Sequence, residues 1–313
     1  MPTRIETMAA ASPGIARGPA PWRPVLHHGL PVAVVGLGLI IVWYAAAVWL
    51  NADLQIDAFD RAGTADWSVA DLVAGTWAQD RPLLPAPHQV LDELWRTVFE
   101  TKITSKRSLV YHGWVTLSST LVGFGAGTLL GIVLAIGIVH VKALEKSLMP
   151  WIIASQTIPI LAIAPMVIVV LGAIGLKGLI PKSAISTYLC FFPIAIGMVK
   201  GLRAPDLLQM DLMRTYSASA RQTLVKLRWP TALPFLFAGL KVAISISLVG
   251  AIIAELPTGA QAGLGARLLA GSYYGQTIQI WSALVAAAVL AAVLVALVGL
   301  AEKLVARAMG ARP

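Results

Sequence analysis

Long, nearly unbroken apolar stretches recur along the chain, separated by segments that carry most of the charged residues. A helix needs roughly 20 mostly apolar residues to cross the hydrocarbon core of a bilayer, and six stretches meet that requirement. They lie at 30–50, 115–139, 148–171, 179–199, 235–256 and 278–300. The pattern therefore predicts an all-α polytopic membrane protein with six transmembrane helices.

The apolar stretches divide the chain into a membrane-spanning core and flanking segments. Residues 1–29 form an N-terminal tail, 30–50 the first span, 51–111 a long segment outside the membrane, 112–305 a core with five further spans, and 306–313 a C-terminal tail. The first apolar stretch is longer than the roughly 7–15 residues of a secretory signal. We therefore interpret it as an uncleaved anchor.

The distribution of basic residues predicts the orientation. If the N-terminus lies in the cytoplasm, the inner segments hold 15 of the 24 Lys and Arg residues but only 5 of the 15 acidic residues. Positive charge is concentrated in the cytoplasmic loops of membrane proteins. We therefore predict a multi-pass protein of the plasma (inner) membrane with both termini cytoplasmic.

The segment 51–111 begins with an acidic part that we interpret as turn-rich. Within it, Ser68 and Asp71 have the spacing of a capping box, which predicts the start of a short helix. Later in this segment, apolar residues recur at helical spacing: Val90, Leu91, Leu94, Trp95, Val98 and Phe99. That stripe predicts an amphipathic helix on the outer membrane interface. A small soluble subdomain packed over the spans is an equally good interpretation of residues 51–80.

Composition narrows the class of protein further. Apolar residues make up 58% of the chain and charged residues only 12%, which is too little charge for a soluble enzyme or a disordered chain. The net charge of +9 does not indicate a nucleic-acid partner, because the basic residues lie between apolar runs rather than on one polar face. The lone cysteine, Cys190, and five scattered histidines predict neither a disulfide nor a metal site.

Glycine spacing argues against nucleotide binding by this chain. The sequence contains no Walker A pattern, so we expect no P-loop ATP site. Gly123, Gly127 and Gly131 recur every four residues inside an apolar span. That spacing predicts a smooth helix face for close helix packing rather than a dinucleotide site.

The segment between the fourth and fifth spans, residues 206–230, is the most informative part of the sequence. A loop of this length between membrane helices is uncommon, and its residues suit two short helices. Pro230 and Pro234 are expected to close the segment before the fifth span begins. The basic residues alone indicate only a cytoplasmic topology anchor.

The order of residues in this segment resembles the cytoplasmic EAA loop in the permease subunits of binding-protein-dependent ABC importers. The likeness is strongest to the nitrate/sulfonate/taurine-type branch, and it extends to permeases for thiamine-precursor pyrimidines and riboflavin. Asp211 stands at the family's Glu, Met213 at its Ala and Ser217 at its Gly. The direct matches are Arg214, Thr215, Ala218, Ser219, Gln222, Pro230, Ala232, Leu233 and Pro234.

The resemblance covers residues 83–307 and includes positions outside the loop. Ile158-Pro159 resembles the proline pairs of the third span, and Glu255 and Gly263-Leu264-Gly265 resemble the fifth span and the outer loop after it. The family Gly lies at a turn where φ is positive, so Ser217 is expected to cost about 1 kcal/mol there.

The resemblance implies a type I ABC importer permease fold and a subunit that breaks no bonds itself. ATP and Mg would be bound by a separate cytoplasmic ATPase dimer, onto which the 206–230 loop docks. We expect Tyr216 to fill an apolar pocket of that partner and Arg214 and Arg221 to make charged contacts. A periplasmic or extracellular solute-binding protein would deliver the solute over segments 51–111 and 257–277. A second permease chain, identical or related, would complete the path.

Polar residues and one proline within the spans are candidates for the translocation path: Gln156, Thr157, Pro159, Ser245, Ser247 and Glu255. Structural roles are the alternatives, because Ser and Thr bond back to their own helix, proline kinks a helix and a buried carboxylate binds a partner. Lys241 is the only basic residue that we count inside the spans, which favours a neutral or zwitterionic organic solute.

Two other functions remain open at this stage. An ion-gradient-driven secondary transporter or channel would work without an ATPase, and it leaves the EAA-like loop unexplained. A non-transporting membrane scaffold would contain no solute path.

Overall fold

The computed structural model describes residues 23–64, 66–256 and 262–310, and within these ranges every regular element is a helix. The helices are α1 (Arg23–Ala62), α2 (Val69–Trp77), α3 (Pro87–Trp95), α4 (Leu109–His140), α5 (Lys142–Ser155), α6 (Ile160–Ala173), α7 (Leu179–Leu202), α8 (Leu207–Thr215), α9 (Ala220–Thr223), α10 (Trp229–Glu255), α11 (Leu264–Tyr273) and α12 (Thr277–Ala308). The all-α polytopic prediction is confirmed. Most of the predicted N-terminal tail, the end of the C-terminal tail and residues 257–261 lie outside the described residues.

Five of the described helices are long and apolar enough to cross a membrane: α1, α4, α7, α10 and α12. The predicted third span is instead two helices, α5 and α6, bent by 102° at residues 156–159. The prediction of one continuous helix over 148–171 was therefore wrong. Pro159 explains the break, because proline disfavours a helical conformation in the residue before it and its own ψ of 114° is extended.

The bent pair still connects the two ends of the bundle. At its start, Glu145 forms a 2.9 Å salt bridge with Arg203, just after α7 ends. At its finish, Gly172 lines the same cavity as Lys182, near the start of α7. Counting α5 and α6 as one span therefore gives the six spans predicted. We call the end of the bundle with α8 and α9 the loop end, and the end with α3 and α11 the α11 end.

The centre of the bundle is the contact between α4 and α7, with α10 packed against α7. A Cβ atom added to Gly123 would lie 2.3 Å from Ser186 Cβ, and one added to Gly127 would lie 2.3 Å from Cys190 Sγ. Real Cβ atoms do not approach so closely, so side chains here would push the two helices apart. The predicted close-packing face is confirmed.

The first helix does not end near residue 50 but continues to Ala62. Asp53, Asp57 and Asp60 are all exposed, and their spacing places them on one face of a continuing helix. The prediction that this part is turn-rich was therefore wrong. After a short turn, Ser68 caps α2 with the predicted capping box, and the hydrogen bonds from Ser68 lower the pKa of the Asp71 carboxyl.

The predicted amphipathic helix is α3, which continues as a π-helical turn over Arg96–Glu100. Its apolar residues divide into two groups. Val90 is buried, and Leu94 and Val98 pack against the core. Leu91, Trp95 and Phe99 are exposed, so a second apolar face points away from the bundle.

The buried amide of Asn51 makes several of the hydrogen bonds between α1 and the segment before α3. Asn51 Oδ1 accepts hydrogen bonds from the Leu83 and Leu84 amides at 2.7 and 3.3 Å, and its Nδ2 donates to the Leu84 carbonyl at 2.8 Å. The rest of α1 is largely exposed, including Leu37 and Ile41. Along its apolar length, Trp43 packs against Trp281 of α12 with ring centroids 5.0 Å apart, and its Nε1 donates to the Pro85 carbonyl at 3.0 Å.

Candidate functional site

The 206–230 loop forms two short helices at the loop end, as predicted. Asp206 caps α8, with its Oδ1 accepting from the Leu207 amide at 2.7 Å, and Gln209 Oε1 accepts from the Asp206 amide at 3.2 Å. Ser219 caps α9 in the same way, with Gln222 as its reciprocal partner. Asp206 and Ser219 are residue types that favour helix N-termini, so local sequence defines where both helices begin.

The turn between these helices places a serine in the left-handed region. Ser217 has φ of 50° and, within the described residues, is the only non-glycine with positive φ. The amides of Ser217 and Ala218 donate to the carbonyls of Arg214 and Met213 at 2.8 and 2.9 Å, which closes the end of α8. The positive-φ turn expected of the family glycine is therefore present with serine in its place.

The loop presents apolar and charged side chains together. Leu207, Leu208 and Tyr216 are 79%, 77% and 76% exposed, although apolar side chains of this size are normally covered. Asp211 and Arg214 form an exposed 2.9 Å ion pair. Such a surface suits a partner that covers it.

The remaining predicted loop residues fall into two groups. Thr215 donates its hydroxyl to the Asp211 carbonyl at 3.0 Å, and Met213 and Ala218 are half-buried, so these residues support the turn. Arg221 is exposed.

The loop continues into the fifth span without interruption. Residues Ala220–Glu255 form one helical run of 36 residues, in which Leu224–Arg228 is a π-helical turn. Pro230 and Pro234 lie inside α10 rather than closing the loop before it, so that expectation was wrong. The Trp229 amide bonds to the Leu224 carbonyl, and this wider turn accommodates Pro230 because proline has no amide hydrogen of its own.

At the other end of this run, Glu255 is fully buried in a polar cluster. Its carboxylate accepts from Thr116 Oγ1 at 3.0 and 3.1 Å, from the Gly265 amide at 2.9 Å and from Lys182 Nζ at 3.2 Å. Thr116 also accepts from the Leu264 amide at 2.8 Å. The carboxylate therefore joins α4, α7 and α10 and accepts the Gly265 amide in the first turn of α11, where a negative charge is favourable. We call Glu255, Lys182 and Thr116 the Glu255 cluster.

Lys182 was missed as an intramembrane residue. It lies in the first turn of α7, its side chain is only 12% exposed, and Nζ also donates to the Ala262 carbonyl at 3.0 Å. The statement that Lys241 is the only basic residue inside the spans was therefore wrong. Lys182 lies within the predicted fourth span, but its pairing with a residue 73 positions away leaves no local pattern.

The structure does not bring the candidate path residues together. Gln156 and Thr157 are exposed at the α5–α6 break next to Pro159, and Thr157 bonds to the Ala154 carbonyl at 2.8 Å. Ser245 bonds back to the Lys241 carbonyl at 3.4 Å. Ser247 is fully buried and donates to the Thr120 carbonyl at 2.9 Å. Ser247 therefore joins two helices, while Gln156 and Thr157 have open surroundings.

A cavity of about 900 Å³ opens at the α11 end between α4, α6 and α7. Its walls are mostly apolar, with Tyr111, Lys177 and Lys182 among the polar lining residues. Of the Glu255 cluster, Lys182 alone reaches it, and none of the candidate path residues lines it. Among the residues that the structure describes, no group of three His, Cys, Asp or Glu side chains is placed to hold a metal ion.

Comparison with known proteins identifies the family to which this bundle of apolar helices belongs. The family described as "Binding-protein-dependent transport system inner membrane component" matches residues 127–311, more than half of the chain. The chain therefore belongs to this family of membrane permeases.

Individual relatives are similar over a comparable length. The riboflavin transport system permease protein of Chloroflexus aurantiacus is 31% identical over 72% of this chain and 80% of its own length. The formylaminopyrimidine transport permease protein of Halalkalibacterium halodurans is 31% identical over 58% of this chain and 68% of its own. The nitrate import permease protein of Synechocystis is 27% identical over 69% and 75%.

Proposed function

We propose that this chain is the permease subunit of an ATP-driven importer of a small organic solute, and that its 206–230 loop couples the spans to a separate ATPase. The observation that carries the proposal is the helical run from Ala220 to Glu255. At about 1.5 Å per residue it is roughly 54 Å long, which is enough to connect the loop to the opposite end of the bundle. A partner that moves the loop would move α10 with it.

The loop's exposed surface supports an ATPase as the occupant. Tyr216 lies at the turn between the two short helices and is well exposed, and Leu207 and Leu208 extend the apolar surface along α8. Burying such side chains contributes about 1.5–3 kcal/mol each. The caps at Asp206 and Ser219 hold both helices in place before a partner arrives, which lowers the entropic cost of binding.

The proposal extends to orientation and partners. We place the loop end in the cytoplasm of a plasma-membrane protein, together with both termini, because the basic residues are concentrated there. An ATPase dimer there would bind ATP and Mg, a second permease chain would complete the path within the bilayer, and an external solute-binding protein would approach the α11 end. The riboflavin and formylaminopyrimidine relatives support an organic solute, and the charge of Lys182 at the cavity wall is compensated by Glu255.

Tyr216→Ala tests the coupling role. We expect the variant to insert normally but to lose about 2 kcal/mol or more of ATPase binding, measured as co-purification of the ATPase and as solute-stimulated hydrolysis. Tyr273→Ala is the matched control for ATPase co-purification, because Tyr273 is 79% exposed at the α11 end, away from the loop. Wild-type coupling in Tyr216→Ala removes the anchor role, and a folded permease that never binds an ATPase removes the proposed function.

A further inference from the structure

The turn at the start of α11 is held by three side chains, one for each of three consecutive backbone amides. The donors and acceptors are Gly263 to His112 Nδ1 at 2.9 Å, Leu264 to Thr116 Oγ1 at 2.8 Å, and Gly265 to Glu255 Oε2 at 2.9 Å. We call residues 263–265 the α11 turn. His112 and Thr116 lie one helical turn apart on α4, so α4 and α10 together fix the start of α11.

The contacts of His112 require the neutral form of its ring. A backbone amide can only donate, so Nδ1 must accept from Gly263 and carry no hydrogen. The ring hydrogen therefore lies on Nε2, which donates to the Lys106 carbonyl at 2.9 Å. His112 is only 3% exposed, so solvent offers neither ring nitrogen another partner.

A second proton on the His112 ring is incompatible with the α11 turn as it stands. Nδ1 and the Gly263 amide would then be two donors facing each other in a buried site. The turn has no room to move aside, because a Cβ on Gly263 would lie 2.1 Å from Glu255 Cδ and one on Gly265 would lie 2.3 Å from the Ile252 carbonyl oxygen. Protonation must therefore displace either the ring or the whole turn.

The surroundings of the ring do not compensate an added positive charge. The charged and titratable groups that face this site from the neighbouring elements are Tyr111 of α4, Lys182 of α7, Glu255 of α10, Arg267 of α11 and, beside Arg267, Glu93 of α3. Both carboxylates in this group are already paired, Glu255 with Lys182 and Glu93 with Arg96. An imidazolium at His112 would therefore meet two cations and no unpaired carboxylate among these groups.

We propose that His112 is a pH-sensitive latch of α11: the neutral ring holds the α11 turn, and the protonated ring releases it. Histidine is the side chain whose charge ordinarily changes in the physiological pH range, so the Gly263 contact is present at neutral pH and is lost as the pH falls through the titration of the ring.

Release of the α11 turn would also change the wall of the 900 Å³ cavity. Lys182 Nζ donates to the Ala262 carbonyl, directly before the turn, and both residues line that cavity. In the orientation proposed above, the latch responds to acidity outside the cytoplasm, and this side of the response rests on the proposed function.

Amide hydrogen exchange of the full-length permease, in nanodiscs of neutral lipid, measures the latch. Protection factors of residues 262–268, corrected for the intrinsic pH dependence of exchange, are compared at about pH 7.5 and about pH 5, on either side of the ordinary imidazole pKa of about 6.5. We expect the wild type to lose about tenfold or more of this protection at the lower pH, because the turn opens locally.

Two variants assign the response to His112. His112→Asn places an amide oxygen near the position of Nδ1, where it accepts from Gly263 without titrating, so protection should stay high at both pH values. His112→Phe keeps a ring without an acceptor, and protection should be low at both. The matched control is His88→Asn, because His88 lies at the α11 end and contacts Tyr44 at 3.2 Å rather than α11. Its pH response should equal that of the wild type.

Two results would overturn the proposal. One is equal protection of the wild-type α11 turn at both pH values. The other is a loss at low pH that persists in His112→Asn, because the titrating group would then be a different one, such as Glu255. If His112→Phe does not fold, the comparison of the wild type with His112→Asn still decides. Only the permease chain is measured, so neither result bears on the proposed coupling to an ATPase.

Discussion

Breaking the Lys182–Glu255 pair should destabilise the bundle, and removing both charges should restore part of the loss. Glu255 is fully buried and Lys182 nearly so, and removal of one partner of a buried pair costs about 3–5 kcal/mol. Glu255→Gln keeps the shape of the side chain, but its NH2 group must then face Lys182 or the Gly265 amide, both of which are donors. Because Lys182 also reaches the cavity, we expect a cost near the lower limit, about 3 kcal/mol.

Removing the lysine instead of the carboxylate should destabilise the bundle less. Lys182→Met keeps the aliphatic stem and leaves Glu255 with the donors from Thr116 and Gly265. In the double variant neither charge is left without its partner, so the two costs should fall short of additivity by about 2 kcal/mol. Thermal unfolding of the purified permease, wild type and three variants, measures this coupling.

Two results would refute the reasoning. Additive costs would show that the two side chains do not stabilise each other. Normal yield and stability of Glu255→Gln, combined with altered transport, would favour a cavity-lining role over the structural role that its contacts support.

Two further changes test the packing and the loop. Gly127→Val should prevent close approach of α4 and α7 and sharply lower the yield of folded protein, because even a Cβ there lies 2.3 Å from Cys190 Sγ. The control is Gly125→Val, which should express as wild type because a Cβ at Gly125 meets nothing within 4 Å. Equal yields would disprove the close-packing argument. Ser217→Gly should preserve ATPase co-purification and stabilise the turn by about 1 kcal/mol. Limited proteolysis measures this, and the loop of the variant should be cleaved more slowly than that of the wild type. Faster cleavage would contradict the strain assigned to the φ of 50° at Ser217.

Patterns that depend on neighbouring residues were predicted well. The glycine face of α4, the capping box at Ser68 and the two short helices around Ser217 each depend on residues within a few turns of one another. Hydrophobic periodicity and cap chemistry report such local preferences directly. The same holds for α3, whose apolar stripe was predicted, although its division into a core face and an exposed face depends on α12 and the membrane.

Features that depend on distant contacts or on helix continuation were missed. Lys182 could have been counted from the sequence, since it lies within the predicted fourth span, but its pairing with Glu255 on another helix could not be predicted. The acidic segment that begins at Asp53 was interpreted as turn-rich from its composition. Composition does not reveal that its acidic residues lie on one exposed face of a continuing helix. Pro230 was interpreted as a terminator, since the π-helical turn that accommodates it has no signal in the sequence.

The attachment of α1 has a consequence for the order in which the protein is made. The partners of Asn51 follow it by only 32 and 33 residues, so they emerge from the ribosome soon after α1 and long before α12. Residues 23–85 can therefore associate as a unit in the membrane while the five remaining spans are still being synthesised. The Asn51 attachment should then form before the bundle is complete, and a nascent chain stopped after His140, the end of α4, should already protect Asn51 and its partners. The contacts of Trp43 with Trp281 and of Pro82 with Thr277 must wait for α12.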